Sequence, residues 1–427
     1  METVAQVGET LQYLLNEVAD RLGRESGFIQ RQRKFSGSSF VQTLVFGFLA
    51  KSDSTMEELS QSAANVGVEI SRQGLDERFS PQAAEFLRRM VEASMTCVLR
   101  VNSVTTPIVQ RFNGVYVEDS TVVALPQALA EVWAGCQGSA LKVSVRWDMQ
   151  HGGLERVHLH AAREHDQQAP LHRQALPPGA LQLRDLGYFD LATMQQHHEQ
   201  DTYWVMRYKV GTALFSRQGQ PVSLLRLLKQ APTAVIECGL QLGADIRLPV
   251  RLVAQAVSAE ELTRRQARLR QWERKHQTRA SADKWALLGW TIYLTNAPTT
   301  ILTSQEVLAV AQLRWQIEML FKLWKSEAQL DAWRTANPWR ILCEVYAKLI
   351  ALIIQHWLIL LGEGHDLHKS LVQMSRSIQK KAWHLAAVLA HPQALFQALT
   401  DLCRCFRAGC NISPSSSSPP SFQRFLT

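Results

Sequence analysis

Hydrophobic and polar positions follow two different periods along this chain, and each period predicts a different kind of element. The first hundred residues follow the helical period, with an apolar run at 37–49 that predicts a helix. Thr55 and Glu58 have the spacing of a capping box before a second helix. Ser80 followed by Pro81 predicts a third helix, with serine as N-cap and proline at its first position. We therefore expect the first part of the chain to be all-helical.

After residue 104 the pattern changes to the period of two that is typical of strands. The glycines of His151-Gly-Gly153 separate the second strand-like run from the third, which predicts an antiparallel meander. A proline-rich connection then leads to a short run that enters a turn, and a fifth run follows. The five runs lie at 114–119, 141–147, 155–160, 181–190 and 202–208.

A long insertion over 211–284 combines strand-like runs with a basic helix, and two further strand-like runs follow it. The strand-like runs lie at 233–238, 247–256, 285–288 and 290–295, and the basic helix lies at 260–276. From 338 to 412 the helical period returns, and the serine- and proline-rich tail 413–427 predicts disorder.

This order of elements predicts an α/β protein. A three-stranded meander, a fourth strand ending at a carboxylate, a fifth strand and a late helix follow the order of a ribonuclease-H-like core. We predict such a core over 106–335 with the β-rich insertion inside it, flanked by all-helical domains at 1–105 and 336–412.

The late helix places three charges on one face of an otherwise apolar segment. Arg314, Glu318, Phe321 and Lys325 fall within roughly 60° of one another at helical spacing. Apolar residues cover most of the remaining surface: Leu313, Ile317, Leu320, Leu323 and Trp324. Charges on a mostly buried helix must pair, bind metal or meet a charged ligand. A partly buried ladder of ion pairs is the alternative interpretation.

Three carboxylates occupy places that converge in a ribonuclease-H-like core: Asp119, Asp185 and Glu318. Hard divalent cations take oxygen ligands, and two ions held about 4 Å apart promote in-line phosphoryl transfer. The sequence therefore predicts a two-ion site for Mg²⁺ or Mn²⁺. A strand-end aspartate such as Asp119 is also a common turn residue.

Each of the three places has a rival. Glu118 competes for the first place from the opposite pleat face of its strand. Asp190 competes for the second, where Arg184 and Asp185 also have the spacing of a local ion pair. Glu327 competes for the third, although it lies off the face of the charged cluster.

The basic composition favours a polyanionic partner only mildly. The chain has 427 residues, 46% of them hydrophobic, with a formal net charge of +8, so it is long enough for a large core. Its seven cysteines are scattered and lack paired zinc-ligand spacing, which favours reduced thiols. With no signal-peptide pattern at the start, we expect a cytoplasmic protein. The apolar run 349–361 is too short and polar to span a bilayer and predicts a buried core helix.

Basic residues of the first region are candidates for contacts to DNA phosphates. The segment 70–79 follows a helix and a turn, as a helix that reads a major groove would. The alternative is a solvated helical bundle with ordinary surface charges. The candidate phosphate contacts are Arg31, Arg33, Lys34, Arg72 and Arg78.

With these residues in view, the chain resembles the DDE transposases of the insertion sequence 4 family. The resemblance covers most of the chain and includes 27–40, 117–121, 185–190, 294–296 and 314–325. The family signature near the last carboxylate is Y-x2-R-x3-E-x6-K. Arg314, Glu318 and Lys325 match its last three positions, but Ala311 stands where the family carries tyrosine.

The resemblance implies DNA transposition. By this resemblance, Asp119, Asp185 and Glu318 hold two Mg²⁺ or Mn²⁺ ions that activate water to nick the element end, and the freed 3′-hydroxyl attacks target DNA. Arg314 and Lys325 contact phosphates at the DNA ends, and the partner is double-stranded DNA at the terminal inverted repeats and the target.

It also implies roles for the other regions. The N-terminal helices bind the inverted repeats, the C-terminal helices pair two transposases in a homodimer at the nucleoid, and the basic helix 260–276 clamps DNA unless it is a solvated charged face. Trp290 lies near where relatives stack a flipped base, although a buried strand tryptophan is the alternative. Two other functions stay open: an inactive DNA-binding regulator, and a nuclease that cuts without joining.

Overall fold

The computed structural model describes residues 2–31, 34–97, 99, 107–165, 169–230, 234–362 and 369–411. The helices are α1 (Glu2–Gln12), α2 (Ala19–Glu25), α3 (Gly37–Ala50), α4 (Met56–Asn65), α5 (Arg72–Asp76), α6 (Pro81–Thr96), α7 (Pro170–Arg173), α8 (Leu191–Glu199), α9 (Leu224–Lys229), α10 (Ala259–His276), α11 (Ala282–Ala286), α12 (Ser304–Ser326), α13 (Pro338–Leu360), α14 (Leu371–Val388) and α15 (Pro392–Gly409). The strands are β1 (Val115–Leu125), β2 (Ser139–Asp148), β3 (Leu154–Ala161), β4 (Leu181–Arg184), β5 (Tyr203–Arg207), β6 (Leu214–Phe215), β7 (Val235–Leu242), β8 (Leu248–Ala256) and β9 (Trp290–Thr295). The chain is therefore a mixed α/β protein, as its sequence pattern predicts.

The described residues form two compact units, each assembled from separate stretches of chain. The first unit contains the described residues within 1–104, 119–165 and 317–423. The second contains those within 105–118 and 166–316. Each predicted domain is one continuous stretch of chain, whereas each unit combines separate stretches. The helical DNA-binding domain and the dimerisation domain therefore stay predictions.

The first unit is a helical bundle around α13. Every residue from Ile341 to Leu360 is buried, and the helix packs against α3, α6 and α14. By length and composition α13 is apolar enough to cross a membrane, but it is wholly buried inside the protein. It is a core helix, as predicted for the run 349–361, but the expectation that the segment is too short and polar to span a bilayer was wrong, because the helix extends back to Pro338.

Helix starts in this bundle are specified by local sequence. The Thr55 hydroxyl accepts the backbone N–H of Glu58 at 3.2 Å, and the Glu58 carboxylate accepts that of Thr55 at 2.8 Å. Ser80 caps α6 through the N–H of Ala83, with Pro81 at the first position. These hydrogen bonds confirm both predicted helix starts. Such a cap contributes about 1 kcal/mol to stability.

The same unit contains an antiparallel hairpin. Strands β2 and β3 pair from Leu141 with Ala161 onward, and a register shift falls between Arg146 and Trp147. The strand order in this unit is β3-β2-β1, where β1 contributes its residues from Asp119 on.

The second unit places the insertion strands beside the core strands. Its strand order is β1-β4-β5-β9-β8-β7-β6. Strands β1 and β4, and β4 and β5, are parallel, whereas β9 is antiparallel to both β5 and β8. One apolar cluster includes Trp204 and Met206 of β5 together with Leu242 and Leu252 of the insertion. The insertion therefore extends the core sheet.

Three local predictions were wrong. The run 285–288 is helical, because Ser281 caps α11 through the N–H of Lys284. Asp119 does not end its strand, since β1 continues to Leu125 through alternately buried residues. The predicted reading helix over 70–79 is reduced to the five residues of α5.

Candidate active site

Asp185 and Arg314 meet in the second unit. Asp185 follows β4 and precedes the 3-10 turn Leu186–Tyr188, but its side chain makes no capping hydrogen bond there. The Arg314 Nη1 atom lies 3.6 Å from Asp185 Oδ1, with the two side chains 22% and 46% exposed. The carboxylate is thus open to a ligand and has a cation beside it.

The other two predicted carboxylates belong to the first unit. Asp119 is half-buried in β1, and its Oδ1 accepts the backbone N–H of Ser120 at 2.8 Å. Glu318 and Lys325 are both half-buried on α12. The apolar residues predicted to surround them are buried: Leu313, Ile317, Leu320, Leu323 and Trp324. The late helix is therefore partly buried: its predicted apolar residues are buried, its charged residues Arg314, Glu318 and Lys325 are half-buried, and Trp315 is exposed.

The rival of the second carboxylate has a structural role. Asp190 Oδ2 accepts the Thr193 backbone N–H at 2.9 Å and the Thr193 hydroxyl at 2.6 Å, which caps α8. Burial acts to raise the pKa of Asp190, but these hydrogen bonds lower it overall. Asp190 is therefore committed to the start of a helix, which favours Asp185 for the site.

The other two rivals are held in ion pairs. Glu327 lies 3.2 Å from Arg376 in the first unit. Glu118 is buried against Arg184 in the second, with Arg184 Nε 2.6 Å from Glu118 Oε2 and both side chains 2% exposed. Arg184 thus pairs with Glu118 across the strands and not, as the sequence allowed, with its neighbour Asp185.

The Glu118–Arg184 pair has further polar partners. Gln182 Nε2 donates to Glu118 Oε1 at 3.2 Å, and Arg184 Nη2 donates to the His172 carbonyl at 2.9 Å. Burial, and then the positive charge of Arg184, lower the pKa of His172 to about 4, so the ring is neutral at pH 7. Sequence reasoning missed this cluster. The sequence feature that could have revealed the cluster is a charged residue inside each apolar strand, Glu118 before Asp119 and Arg184 before Asp185.

Oxygen-only donor chemistry fits a hard divalent cation. Carboxylates such as Asp119, Asp185 and Glu318 are the ligands that Mg²⁺ and Mn²⁺ prefer. Within the described ranges, no three His, Cys, Asp or Glu side chains form a group able to hold a metal ion. The convergence of the three carboxylates stays a prediction.

Comparison with known protein families decides the class. A family model described as the transposase DDE domain matches residues 111–354, more than half of the chain. This chain belongs to the DDE transposase family. The match contains all three candidate carboxylates, and membership is compatible with the insertion sequence 4 resemblance.

Curated relatives of this DDE transposase are transposases of insertion sequences. It is 27% identical over 372 residues to the transposase for insertion sequence element IS231C of Bacillus thuringiensis subsp. berliner, covering 81% of this chain and 78% of the relative. It is 26% identical over 422 residues to that for IS231D of Bacillus thuringiensis subsp. finitimus, covering 92% and 88%. It is 24% identical over 371 residues to that for IS1151 of Clostridium perfringens, covering 80% and 77%.

Basic residues in the N-terminal region of the DDE transposase are mostly at the surface. Arg31 and Arg72 are exposed, and Arg78 is half-buried. The exposed Lys34 donates from Nζ to the Glu69 carbonyl at 3.0 Å. Arg33 lies outside the described residues. Contacts of these side chains to DNA stay predictions.

Trp290 is the first residue of β9 and is half-buried. It packs against the apolar cluster that the core shares with the insertion. Its carbonyl accepts Arg265 Nη1 at 3.0 Å. These contacts favour the interpretation of Trp290 as a packed strand tryptophan over that of a base-stacking residue.

Helix α10 presents a basic surface to solvent. Leu269 is its only buried residue. Glu260 and Glu261 pair with arginines of the first turns, and Glu273 accepts the Ala280 backbone N–H at 2.7 Å. In the part of the chain that the structure describes, several cations of the helix make no ion pair: Arg268, Arg270, Arg274 and Lys275. The acidic side chains of α10 are occupied, and its exposed face is positive.

Trp272 adds an aromatic ring to this positive surface. It is 38% exposed, and its ring centroid lies 4.7 Å from that of His276 and 4.3 Å from Lys284 Nζ. Cations beside an exposed aromatic ring suit a polyanionic ligand such as DNA.

Proposed function

We propose that this chain is the transposase of an insertion sequence, which binds the terminal inverted repeats and catalyses metal-dependent cleavage and strand transfer. The observation that carries the proposal is the family match over 111–354, because it contains Asp119, Asp185 and Glu318 together. Relatives covering most of the chain are all insertion-sequence transposases.

The candidate carboxylates would hold two Mg²⁺ or Mn²⁺ ions. The openness of the Asp185 side chain supports this, since a carboxylate used as a helix cap has less capacity for a metal. Two bound ions supply activation of the attacking hydroxyl and stabilisation of the leaving oxygen.

Arg314 and Lys325 would hold the scissile phosphate. A guanidinium binds phosphate oxygens in a planar, bidentate manner, and an ammonium acts as a point charge. The position of Arg314 beside Asp185 supports this role, because it places a cation next to a candidate metal ligand. In cleavage, water attacks the phosphorus and the 3′-oxygen leaves, which frees a 3′-hydroxyl to attack target DNA.

Other regions would organise the DNA. The N-terminal helices would bind the inverted repeats, the basic face of α10 would contact the DNA backbone, and the C-terminal helices would pair two copies into a homodimer. The protein would act in the bacterial cytoplasm at the nucleoid.

The test is incubation of the full chain with DNA carrying its own inverted repeat, with Mg²⁺ and then with EDTA. We expect cleavage and joined product with Mg²⁺ and neither with EDTA. The variants Asp119→Ala, Asp185→Ala and Glu318→Ala should each abolish cleavage and retain end binding. Glu327→Ala, which removes the partly buried ion pair with Arg376, is the matched control and should cleave normally. Retained cleavage in any of the three alanine variants removes that residue from the site.

Ala311 favours a second candidate function, an inactive DNA-binding regulator derived from a transposase. A half-buried alanine on α12 offers no hydroxyl where the family signature has tyrosine. Specific binding of the inverted repeat without any cleavage would support this alternative, and cleavage without joining would support a nuclease.

A further inference from the structure

The Glu118–Arg184 ion pair lies at a defined place in the parallel ladder of the second unit. Strands β1 and β4 are paired from Val115 with Leu181 to Glu118 with Arg184. The two charged residues are thus direct neighbours across the strands, and their side chains are the hydrogen-bonded pair at 2.6 Å. The pair occupies the end of the ladder that is nearest in sequence to the candidate aspartates.

Stability alone does not account for two buried charges at this position. Taking both ions out of water is costly, and apolar residues of similar size are often as stabilising or more so. The same ladder already has buried apolar side chains at Val115, Val117, Leu181 and Leu183. A charged pair adds specificity of register, because a slip by one residue would bury each charge against apolar groups.

Each partner directly precedes one candidate metal ligand. Asp119 follows Glu118 and Asp185 follows Arg184, so each Cα is only about 3.8 Å from that of the ion-pair residue. Side chains alternate between the faces of a strand. When Glu118 and Arg184 are held on one face of the sheet, Asp119 and Asp185 are directed to the opposite face. The exposures agree, since the Asp185 side chain is 46% exposed and that of Arg184 is 2% exposed.

We propose that the Glu118–Arg184 pair is a positioning device, which holds the backbone of β1 and β4 so that Asp119 and Asp185 are oriented to bind metal. The inference rests on the proposed function. Glu118 and Arg184 act through the two aspartates and do not themselves touch metal or DNA. Partners that orient metal ligands typically alter metal affinity by about 10- to 100-fold when they are removed.

The experiment replaces the pair with apolar residues and measures metal binding directly. The double variant Glu118→Met with Arg184→Met keeps similar side-chain lengths and removes both charges together. It also removes the hydrogen bonds that Gln182 and the His172 carbonyl make to the pair. Its control is Arg340→Met with Glu344→Met, a partly buried pair in the first unit with Nε and Oε1 2.9 Å apart and side chains 13% and 6% exposed. Arg340 also pairs with Asp76, so this control removes at least as many ionic contacts as the test variant. Mn²⁺ binding is followed by electron paramagnetic resonance in the presence of inverted-repeat DNA, and the melting temperature is recorded.

We expect the Glu118/Arg184 double variant to melt near the wild-type temperature but to bind Mn²⁺ at least about tenfold more weakly. The Mn²⁺ concentration for half-maximal cleavage should rise by the same factor while DNA affinity is unchanged. The Arg340/Glu344 control should keep wild-type Mn²⁺ affinity even if its melting temperature moves. A merely structural pair would shift melting and leave the metal dependence alone.

Two further variants keep the test decisive. If the double variant does not fold, Glu118→Gln retains the shape of the side chain and should also weaken Mn²⁺ binding. Asp119→Asn serves as the positive control and should lose most of it. Wild-type Mn²⁺ affinity in a folded Glu118 variant overturns the inference while leaving the proposed function intact. A wild-type chain that binds Mn²⁺ but never cleaves its own ends sinks the proposed function instead, and one that binds no Mn²⁺ overturns both.

Discussion

The Arg314 guanidinium lies 3.6 Å from the Asp185 carboxylate, and both side chains are partly exposed. An ion pair this open to solvent contributes at most about 1 kcal/mol to stability. Its two members are the signature arginine of the late helix and the carboxylate that follows β4. Substitution of Arg314 therefore calls for stability and activity to be measured side by side.

We predict that Arg314→Gln lowers single-turnover cleavage of inverted-repeat DNA by about 10- to 100-fold, since one charge-assisted contact is worth roughly 1.5–3 kcal/mol. The melting temperature should fall by less than about 4 °C. Arg334→Gln, which removes a surface pair with Asp53 in the first unit, is the control and should cleave normally. Unchanged cleavage by the Arg314 variant would exclude it from phosphate contact.

The basic face of α10 predicts a specific salt dependence. Each phosphate contact contributes about 0.9 to the slope of log affinity against log salt. We expect Arg268→Gln with Lys275→Gln to reduce the slope by roughly 2, measured by fluorescence anisotropy between about 50 and 200 mM salt. Arg264→Gln on the same helix is the matched control, because Glu260 and Glu261 already pair with Arg264. An unaltered slope in the double variant would show that α10 is only a solvated surface.

Burial of His356 predicts lower stability in mild acid. Its Nε2 lies 2.7 Å from the Gly152 carbonyl, and burial lowers its pKa to about 4. An unfolded histidine has a pKa near 6.5, so between about pH 4 and 6.5 the unfolded chain binds a proton that the folded chain does not. Stability therefore rises with pH through this window and is lost as pH falls through it.

Urea unfolding at pH 7.5 and 5.5 measures this effect. The wild type should lose about 1 kcal/mol from His356 between these values. His356→Gln removes the titrating group and should reduce the pH difference by that amount. His172, whose pKa is also about 4, acts in the same direction, so some dependence remains. An equal loss in wild type and variant would contradict the assignment.

Restoring the missing tyrosine is the fourth prediction. Ala311 is three residues before Arg314 on α12, which places the two roughly 60° apart around the helix. A phenol hydroxyl there would add a donor for a DNA phosphate. We expect Ala311→Tyr to raise the cleavage rate by several-fold, about 1 kcal/mol for one hydrogen bond, and Ala311→Phe to leave it unchanged. Equal cleavage rates in the two variants would show that a hydroxyl at position 311 does not contribute to cleavage.

Predictions from the sequence held where the cause is local. The caps at Thr55 and Ser80 depend on residues at most three positions away, and α10 follows a continuous run of helix-forming residues. The same local reasoning was wrong for 285–288, where a serine cap outweighed an apolar run typical of a strand. Asp119 is the last residue of the strand-like run 114–119 in the sequence, yet β1 continues to Leu125.

The sequence by itself determined the mixed α/β class, the charged late helix and the three carboxylates to consider, since periodicity and residue chemistry are readable position by position. Only the tertiary structure decided that Glu118 pairs with Arg184, 66 positions away, and that Asp185 meets Arg314. Ion pairs and strand register join residues that are distant in sequence. Their partners are therefore selected by packing and burial of the folded chain.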